Sequence, residues 1–546
     1  MPEMTITPKS FLEWPVFHWI IVALVATVAY SNTFQVPFVF DDELQIIANP
    51  VVTDLAGFLT TRSGYEYNSN RFIGYLTFAL NYHVGGLNVV GYHAVNLAIH
   101  ITNALLVYTL VRFTFRTPFL APHASPLTPH ASLVPFFAAL LFVCHPVQTQ
   151  AVTYIVKRLT SLATLFYLAS VTCHVRWRLA WESGALCLSR SVLPFWLMSL
   201  AAALLAMKTK EFAVTLPLAV LLFEWCFFGR PDRRVLLSLA PLLSTIFIIP
   251  LGMVSLHEPI GRILSDVNTM TVASSSLSRW EYLCTQFSVI VTYLRLLVLP
   301  VNQNLDYDYP VNHSLFEPRT FLPLILLMAL LAAAVMLWRA GSSPESRVTG
   351  HESRLLRLAA FGIFWFFLTL LVESSIVPIH DVIFEHRLYL PSVGFLLALT
   401  ALVMAGSGNL KGRIPVAEKL AVAALIIAAG LLATATYSRN RIWRDPITLW
   451  QDVKAKSPNK VRPYNILGTY YAEQGRVADA IREFEMSVRL KPTDVAILDL
   501  LAQSYLLADR QKDAEAVQKS LERVDPLGEK LQESLQKIEN LKRIQR

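Results

Sequence analysis

Three carboxylates in succession, Asp41, Asp42 and Glu43, follow directly on Phe38-Val39-Phe40. Adjacent carboxylates repel, which tends to raise the pKa of at least one of them. A carboxylate tuned in this way, at a boundary between protein and water, suits a general base for a hydroxyl nucleophile, or a divalent-metal site. The plain alternative is the solvated start of a loop. Lys208 and Lys210 flank Thr209, with Glu211 beside them. Cations at the edge of an apolar run suit a phosphate carried on a lipid, though lysines there also snorkel to headgroups. Arg387, preceded by Glu385 and His386, poses the same choice. His145-Pro146 ends an apolar run, where a histidine is more often bonded to a neighbour than catalytic. Lys157 and Arg158 lie inside another such run and need anionic or carbonyl partners. Asp306-Tyr307-Asp308-Tyr309 joins acids to aromatic rings, a combination that suits sugars or an interfacial tyrosine belt.

The elements that position these residues are written in the composition. The chain has 546 residues, 54% hydrophobic and 16% charged, with a mean hydropathy of +0.46. A soluble domain would carry about 25% charged residues, so a soluble globular enzyme, a disordered chain, collagen and a disulfide scaffold are excluded. Cys144, Cys173, Cys187, Cys226 and Cys284 lie mostly in apolar stretches, without metal-ligand spacing. The net charge of +8 does not point to nucleic acid, because Lys and Arg cluster in short loops between apolar runs. That is the positive-inside pattern of a multi-pass membrane protein.

Apolar runs at roughly 15–31, 89–112, 133–145, 150–175, 191–207, 211–228, 235–254, 319–338, 355–373, 389–405 and 418–437 are candidate spans. The basic loops between them include Arg112 and Arg116; Arg176, Arg178 and Arg190; Arg230, Arg233 and Arg234; Arg339, Arg347, Arg354 and Arg357; Lys411, Arg413 and Lys419. Placing these loops in the cytoplasm lets eleven spans alternate from a cytoplasmic N-terminus. The run Tyr282–Leu299 then has both flanks outside and reads as re-entrant or interfacial. Asp41, Asp42, Glu43, Arg71, His145, Lys208, Lys210, Glu211, Asp306, Asp308, Glu385, His386 and Arg387 all fall on the external side, which suggests one cavity at membrane level.

The tail is of a different kind. Pro458, Pro492 and Pro526 are 34 residues apart, as are Leu467 and Leu501, Tyr471 and Tyr505, Ala480 and Ala514. This period resembles tetratricopeptide (TPR) repeats. Arg444–Ser457 fits the second helix of a degenerate unit. Val461–Asp494 and Val495–Gly528 are fuller units, and Leu527–Arg546 reads as a capping helix. The expected division is a membrane domain at 1–438 and a TPR domain at 439–546. External loops fall at 32–88 and 255–318. The fold class is all-α, a polytopic membrane protein with a C-terminal α-solenoid.

The segment Phe38–Glu43 after the first span looks like the acidic motif of GT-C-fold glycosyltransferases. The stretches Asn70–Asn81, Gly85–Asn96, Cys144–Val152, Met207–Glu211, Arg387–Phe395 and Arg439–Trp443 resemble the TMTC family, transmembrane and tetratricopeptide-repeat O-mannosyltransferases. The sequence departs from that family at Lys157-Arg158-Leu159-Thr160, where an acid is missing, and in its shorter repeat array. The resemblance implies inverting transfer of a sugar from a polyprenyl-phosphate-linked donor to Ser/Thr hydroxyls outside the membrane. Asp42 is then assigned as the base, with Asp41 as the other candidate. Lys210, Arg387, Lys208 and Arg158 are assigned to the lipid phosphate, whose charge develops as it leaves. Glu43, Arg71, His145, Glu211, Asp306, Asp308 and His386 are candidates for sugar or acceptor binding. The implied partners are the bilayer, the lipid-linked donor and acceptor proteins held on the repeats.

Two other readings compete. The same fold could transfer to a glycan or lipid, or move a preassembled oligosaccharide. A non-enzymatic scaffold for envelope or pilus assembly would make Asp41 and Asp42 dispensable. The compact loops suggest a bacterial inner membrane with periplasmic repeats. In an endoplasmic reticulum membrane the tail would be lumenal and Asn312-His313-Ser314 a glycosylation acceptor.

Overall fold

The computed structural model describes residues 14–120, 129–184, 189–253, 277–341, 352–379, 381–410 and 414–524, and among them there is no strand. The expected capping helix, Cys187, Arg347, Lys411 and Arg413 lie outside the described residues. The chain divides into two compact units. One comprises residues up to Gln303 together with Pro310–Arg441, and the other Asn304–Tyr309 together with Ile442 onward. The division at 441/442 lies within one turn of the expected one. The transfer of six loop residues to the second unit was not expected.

The first unit runs α1 (Pro15–Ala29), α2 (Phe72–Gly85), α3 (Val89–Thr114), α4 (Pro129–Cys144), α5 (Arg158–Glu182), α6 (Leu193–Met207), α7 (Leu216–Phe227), α8 (Arg233–Ser244), α9 (Arg279–Val298), α10 (Pro318–Ala340), α11 (Glu352–Leu370), α12 (Pro391–Leu410) and α13 (Ala417–Ile442). Six helical segments among the described residues are long and apolar enough to cross a membrane: 89–114, 233–252, 318–340, 353–370, 391–408 and 417–442. A seventh is a broken span, Leu133–Cys144 with Pro146–Val152, bent by 52°. The remaining expected spans fall on shorter or more polar helices, α1, α5, α6 and α7.

Burial sorts the long helices. Only 17% of the apolar window is buried in each of α10 and α13, against 61% and 67% in the 353–370 and 391–408 segments. The first pair therefore presents apolar side chains such as Leu322, Met328, Ile426 and Leu431 outward, as lipid contact requires. The second pair packs as a core: Gly362 and Gly394 bring the two backbones so close that a Cβ on Gly362 would lie 2.3 Å from the Gly394 carbonyl oxygen. Residues Phe137–Cys144 of α4 are all buried beside them.

Two sequence expectations change here. The run 150–175 is not one helix: the chain breaks at Thr153-Tyr154, makes a 3₁₀ turn at Ile155–Lys157, and α5 starts only at Arg158. Lys157 and Arg158 thus stand at the mouth of a helix rather than inside a span. The run expected to be re-entrant or interfacial is one unbroken helix, α9, which fits the interfacial alternative and not a re-entrant loop; it is started by a capping box in which Ser278 Oγ accepts from Glu281 N–H and the Glu281 carboxylate accepts from Ser278 N–H.

The second unit holds α14 (Pro446–Lys456), α15 (Val461–Glu473), α16 (Val477–Leu490), α17 (Val495–Leu507) and α18 (Gln511–Val524). α15 and α17 start 34 residues apart, as do α16 and α18. The repeated positions do the packing: Leu467, Tyr471, Ala480, Leu501, Tyr505 and Ala514 are all buried. Gly468 admits the Phe484 ring so closely that a Cβ there would lie 2.5 Å from it.

Candidate functional site

The acidic triplet is built by a strained reversal. Phe40 has φ +53°, in the left-handed region that a bulky residue rarely occupies. The turn is closed by Val39 N–H donating to Asp42 Oδ2 (2.9 Å) and by Asp42 N–H donating to the Val39 carbonyl (3.1 Å). Glu43–Ile47 then forms a single π-helical turn, with Glu43 exposed, a local geometry frequent at functional sites.

The reversal gives the two aspartates different environments. Asp42 is fully buried, and its other oxygen accepts from Val156 N–H at 2.7 Å. Burial pushes its pKa up to about 7, against the lowering effect of the two backbone N–H groups. Asp41 keeps 35% of its side chain exposed and pairs with Lys157, Nζ to Oδ2 2.8 Å. Its backbone N–H donates to the Tyr154 hydroxyl at 2.8 Å. The Lys157 ammonium also lies over the rings of Tyr154 (5.0 Å) and Phe384 (5.6 Å). The turn at Ile155–Lys157 therefore grips both acids, one through a backbone N–H and the other through an ammonium.

Two further ion pairs stand in the same layer. Arg71 meets Glu211 through two bonds, Nε–Oε1 at 2.7 Å and a second guanidinium nitrogen to Oε2 at 3.1 Å. Lys210 Nζ lies 3.0 Å from Glu373 Oε1 and donates to Thr160 Oγ1 at 2.9 Å. Burial lowers the pKa of Lys210, and the Glu373 carboxylate opposes that shift. His386 is buried among these groups, its backbone N–H donating to Gln150 Oε1 at 3.2 Å. Burial, and then the charges of Lys210, Lys157, Arg387 and Arg71, drive its pKa well below the usual imidazole value. His386 is thus a ring pushed toward its neutral form by burial and by four neighbouring cations. Arg387 is buried and donates to the carbonyls of Asp381 (2.7 Å) and Val382 (3.0 Å).

The structure thus brings together Asp41, Asp42, Arg71, Lys210, Glu211, His386 and Arg387, and sets other candidates apart. His145 is spent on structure: Nε2 bonds the Leu297 carbonyl (3.1 Å), and Nδ1 accepts from Val147 N–H (3.2 Å). Arg158 is fully buried; it donates to Asn96 Oδ1 and to the carbonyls of Thr77 and Tyr92, and lies over the Phe78 ring. Lys208 stacks its ammonium 5.4 Å over the Tyr65 ring. Asp306 and Asp308 belong to the second unit. There Asp306 is buried between Lys460 (3.2 Å) and Arg462 (3.0 Å), and Asp308 accepts from Asn459 at 3.0 Å. Asp306 is thus engaged by two cations of its own unit. Among the described residues no three His, Cys, Asp or Glu side chains converge to hold a metal.

Glu373, Thr160, Tyr154 and Gln150 are members that sequence reading missed. Glu373 carries the same signal as the others, a carboxylate at the end of an apolar run. The remaining three are neutral, and only the break before α5 brings them in.

No family model and no solved structure matches the chain. Curated relatives do. The chain is 25% identical to protein O-mannosyl-transferase Tmtc3 of Drosophila melanogaster, over 90% of its own length and 57% of that protein's. It is 24% identical to protein O-mannosyl-transferase F38B6.6 of Caenorhabditis elegans, covering 87% of this chain and 63% of the relative. Against protein O-mannosyl-transferase TMTC4 of Homo sapiens the identity is 27%, over 88% and 67%. The chain therefore spans about three-fifths of the length of the first two relatives and two-thirds of the third. Its resemblance to the TMTC proteins extends over nearly nine-tenths of its residues.

Proposed function

We propose that this chain is a GT-C-type membrane glycosyltransferase. It moves a sugar, mannose by analogy with the relatives' names, from a polyprenyl-phosphate-linked donor to Ser/Thr hydroxyls of exported proteins. The observation that carries this reading is the Asp41–Lys157 pair beside the cations that surround His386: a carboxylate to take a proton next to positive charge to receive a phosphate.

In this mechanism the acceptor hydroxyl loses its proton to an aspartate and attacks the anomeric carbon from the face opposite the phosphate, inverting it. The bond from that carbon to the phosphate oxygen breaks, and the electron pair leaves on the phosphate. Sequence reading favoured Asp42 as base. We assign Asp41 instead, because Asp42 is wholly buried with both oxygens on backbone N–H groups, whereas Asp41 is partly open. Asp42 then fixes the loop that presents Asp41. We assign Lys210 and Arg387 to the leaving phosphate, with Lys208 as a further candidate, and give Arg158 the role of holding the frame. Arg71, Glu211, Glu43 and His386 are left for the sugar and the acceptor.

In the eleven-span topology drawn from the basic loops, this layer faces the periplasm, or the lumen of the endoplasmic reticulum. To the helix pairs of the second unit, read as TPR repeats, we assign the binding of acceptor polypeptides. The test is transfer by the purified full chain from polyprenyl-phosphate mannose to a Ser/Thr-rich peptide, read as an added hexose mass. Wild type should transfer and Asp41→Asn should not. Full transfer by Asp41→Asn would remove the assigned base, and no transfer by wild type to any hydroxyl acceptor would remove the activity.

A further inference from the structure

Each cation of the layer has a resting partner, and the partners differ in kind. Arg71 rests on Glu211 and Lys210 on Glu373. Arg387 and Arg158 rest on backbone carbonyls and Asn96. Lys157 alone among these cations rests on the carboxylate assigned here as the base. The Lys157 ammonium occupies Asp41 Oδ2 at 2.8 Å, so an acceptor hydroxyl has to compete with it for that oxygen. That oxygen is therefore held by the ammonium for as long as the pair persists.

The same ammonium has somewhere else to go. Its charge already acts on His386, together with those of Lys210, Arg387 and Arg71. Its stem is a flexible four-carbon chain, and its ammonium lies over the rings of both Tyr154 and Phe384, contacts that favour a cation here without fixing it to one partner. The backbone beneath it does not have to move, because Val156 N–H is anchored on Asp42.

We infer that Lys157 is a two-position residue that couples donor binding to activation of the base: it pairs with Asp41 as the structure shows, and moves onto the lipid-linked phosphate when the donor arrives. This rests on the glycosyltransferase reading above. With donor bound, Asp41 is charged and uncovered. The acceptor O–H proton passes to Asp41 as the new bond to the anomeric carbon forms. The bond from that carbon to the phosphate oxygen breaks, and the phosphodiester monoanion becomes a phosphate monoester dianion. The Lys157 ammonium offsets the charge gained. After release, the proton leaves Asp41 to water or the departing phosphate, and Lys157 returns. An acceptor or a water molecule that enters before the donor meets the ammonium on Asp41 Oδ2.

The experiment measures binding of undecaprenyl phosphate or dolichyl phosphate to the full-length protein by native mass spectrometry, beside transfer by the same samples. Asp41→Asn should abolish transfer yet bind the lipid phosphate as tightly as wild type or several-fold tighter, because Lys157 is released. Lys157→Gln should weaken lipid-phosphate binding about tenfold, as loss of one charge-assisted contact does, and raise the donor KM. Lys157→Arg should restore most of both, which a misfolded site would not allow. Weaker binding by Asp41→Asn, wild-type binding by Lys157→Gln, or no binding of either lipid by wild type overturns the switch. If wild type binds the lipid phosphate in a Lys157-dependent way but transfers no sugar, the assigned activity fails and the Lys157 site stands.

Discussion

Arg71 and Glu211, 140 positions apart in sequence, meet through two parallel hydrogen bonds of 2.7 and 3.1 Å. The pair ties the loop before α2 to the turn before α7, and a backbone bond from Ile73 N–H to the Lys208 carbonyl (2.9 Å) runs beside it. The fork geometry of arginine makes this join directional, where a lysine would supply only a point charge.

Arg71→Lys should therefore lower the thermal midpoint in detergent by less than Arg71→Ala, but not match wild type. The side chains are 34% and 30% exposed, so solvent screens part of the attraction. We expect Arg71→Ala to cost about 1–3 kcal/mol. A double-mutant cycle with Glu211→Gln should return most of that loss as coupling. Additive losses would show that the two bonds do not act as a unit.

Asp42 makes stability depend on pH with a definite sign. Its pKa is raised from 3.8 to about 7, so the fold favours the protonated carboxyl. This contribution is complete below pH about 4 and is lost as pH rises through 7, on the order of 4 kcal/mol at 1.36 kcal/mol per pKa unit. Thermal midpoints should therefore fall between pH 5 and pH 8. Asp42→Asn cannot titrate and should flatten that fall, while losing some stability at pH 5 because an amide offers one acceptor oxygen to two backbone donors. An equally steep fall in Asp42→Asn would assign the effect elsewhere.

Sequence reached the site unevenly, for physical reasons. A charge at the end of an apolar run is anomalous wherever it occurs, so Asp41, Lys210, Arg71 and Arg387 stood out without coordinates. The 34-residue period was equally plain, because Leu467, Ala480 and their repeats carry one packing pattern twice. Hidden was the break at Thr153-Tyr154: Ala151, Val152, Ile155 and Val156 are apolar and read as an unbroken span. That break turns Lys157 from a misfit in lipid into the partner of Asp41. Nor could composition tell Asp41 from Asp42, since their difference lies in the φ of Phe40. Asp306 misled for a related reason: its two cations, Lys460 and Arg462, lie about 150 residues downstream.

The Gly362–Gly394 contact predicts a steep response to the smallest side chain. A Cβ at either glycine would lie 2.3–2.4 Å from the other's carbonyl oxygen, and backbone cannot yield as a side-chain tip can. Gly362→Ala should destabilise the α11–α12 pair by about 1–3 kcal/mol, seen as a lower melting midpoint and faster hydrogen exchange in both helices. Gly430→Ala, with open space around its Cβ, is the control and should leave both unchanged. Equal behaviour of the two variants would mean that the helices do not approach so closely in the membrane.

Glu373 supplies the sharpest test of the ion-pair layer, because it touches Lys210 and was assigned no part in the reaction. Burial already lowers the Lys210 pKa, and the neighbouring Arg71 pushes in the same direction. The Glu373 and Glu211 carboxylates are the forces that keep it protonated. Glu373→Gln removes the nearer one while preserving shape. The Lys210 pKa must then fall further, so the ammonium is lost at lower pH. If Lys210 serves the leaving phosphate as an ammonium, the alkaline limb of the transfer rate should move to lower pH by about one unit or more. Activity near pH 6 should stay closer to wild type. Lys210→Arg in the same background should return the limb toward its original place, since a guanidinium does not titrate in this range. A uniform loss of activity at every pH, with no displacement of the limb, would mean that Lys210 holds Glu373 in place and takes no part in stabilising the phosphate.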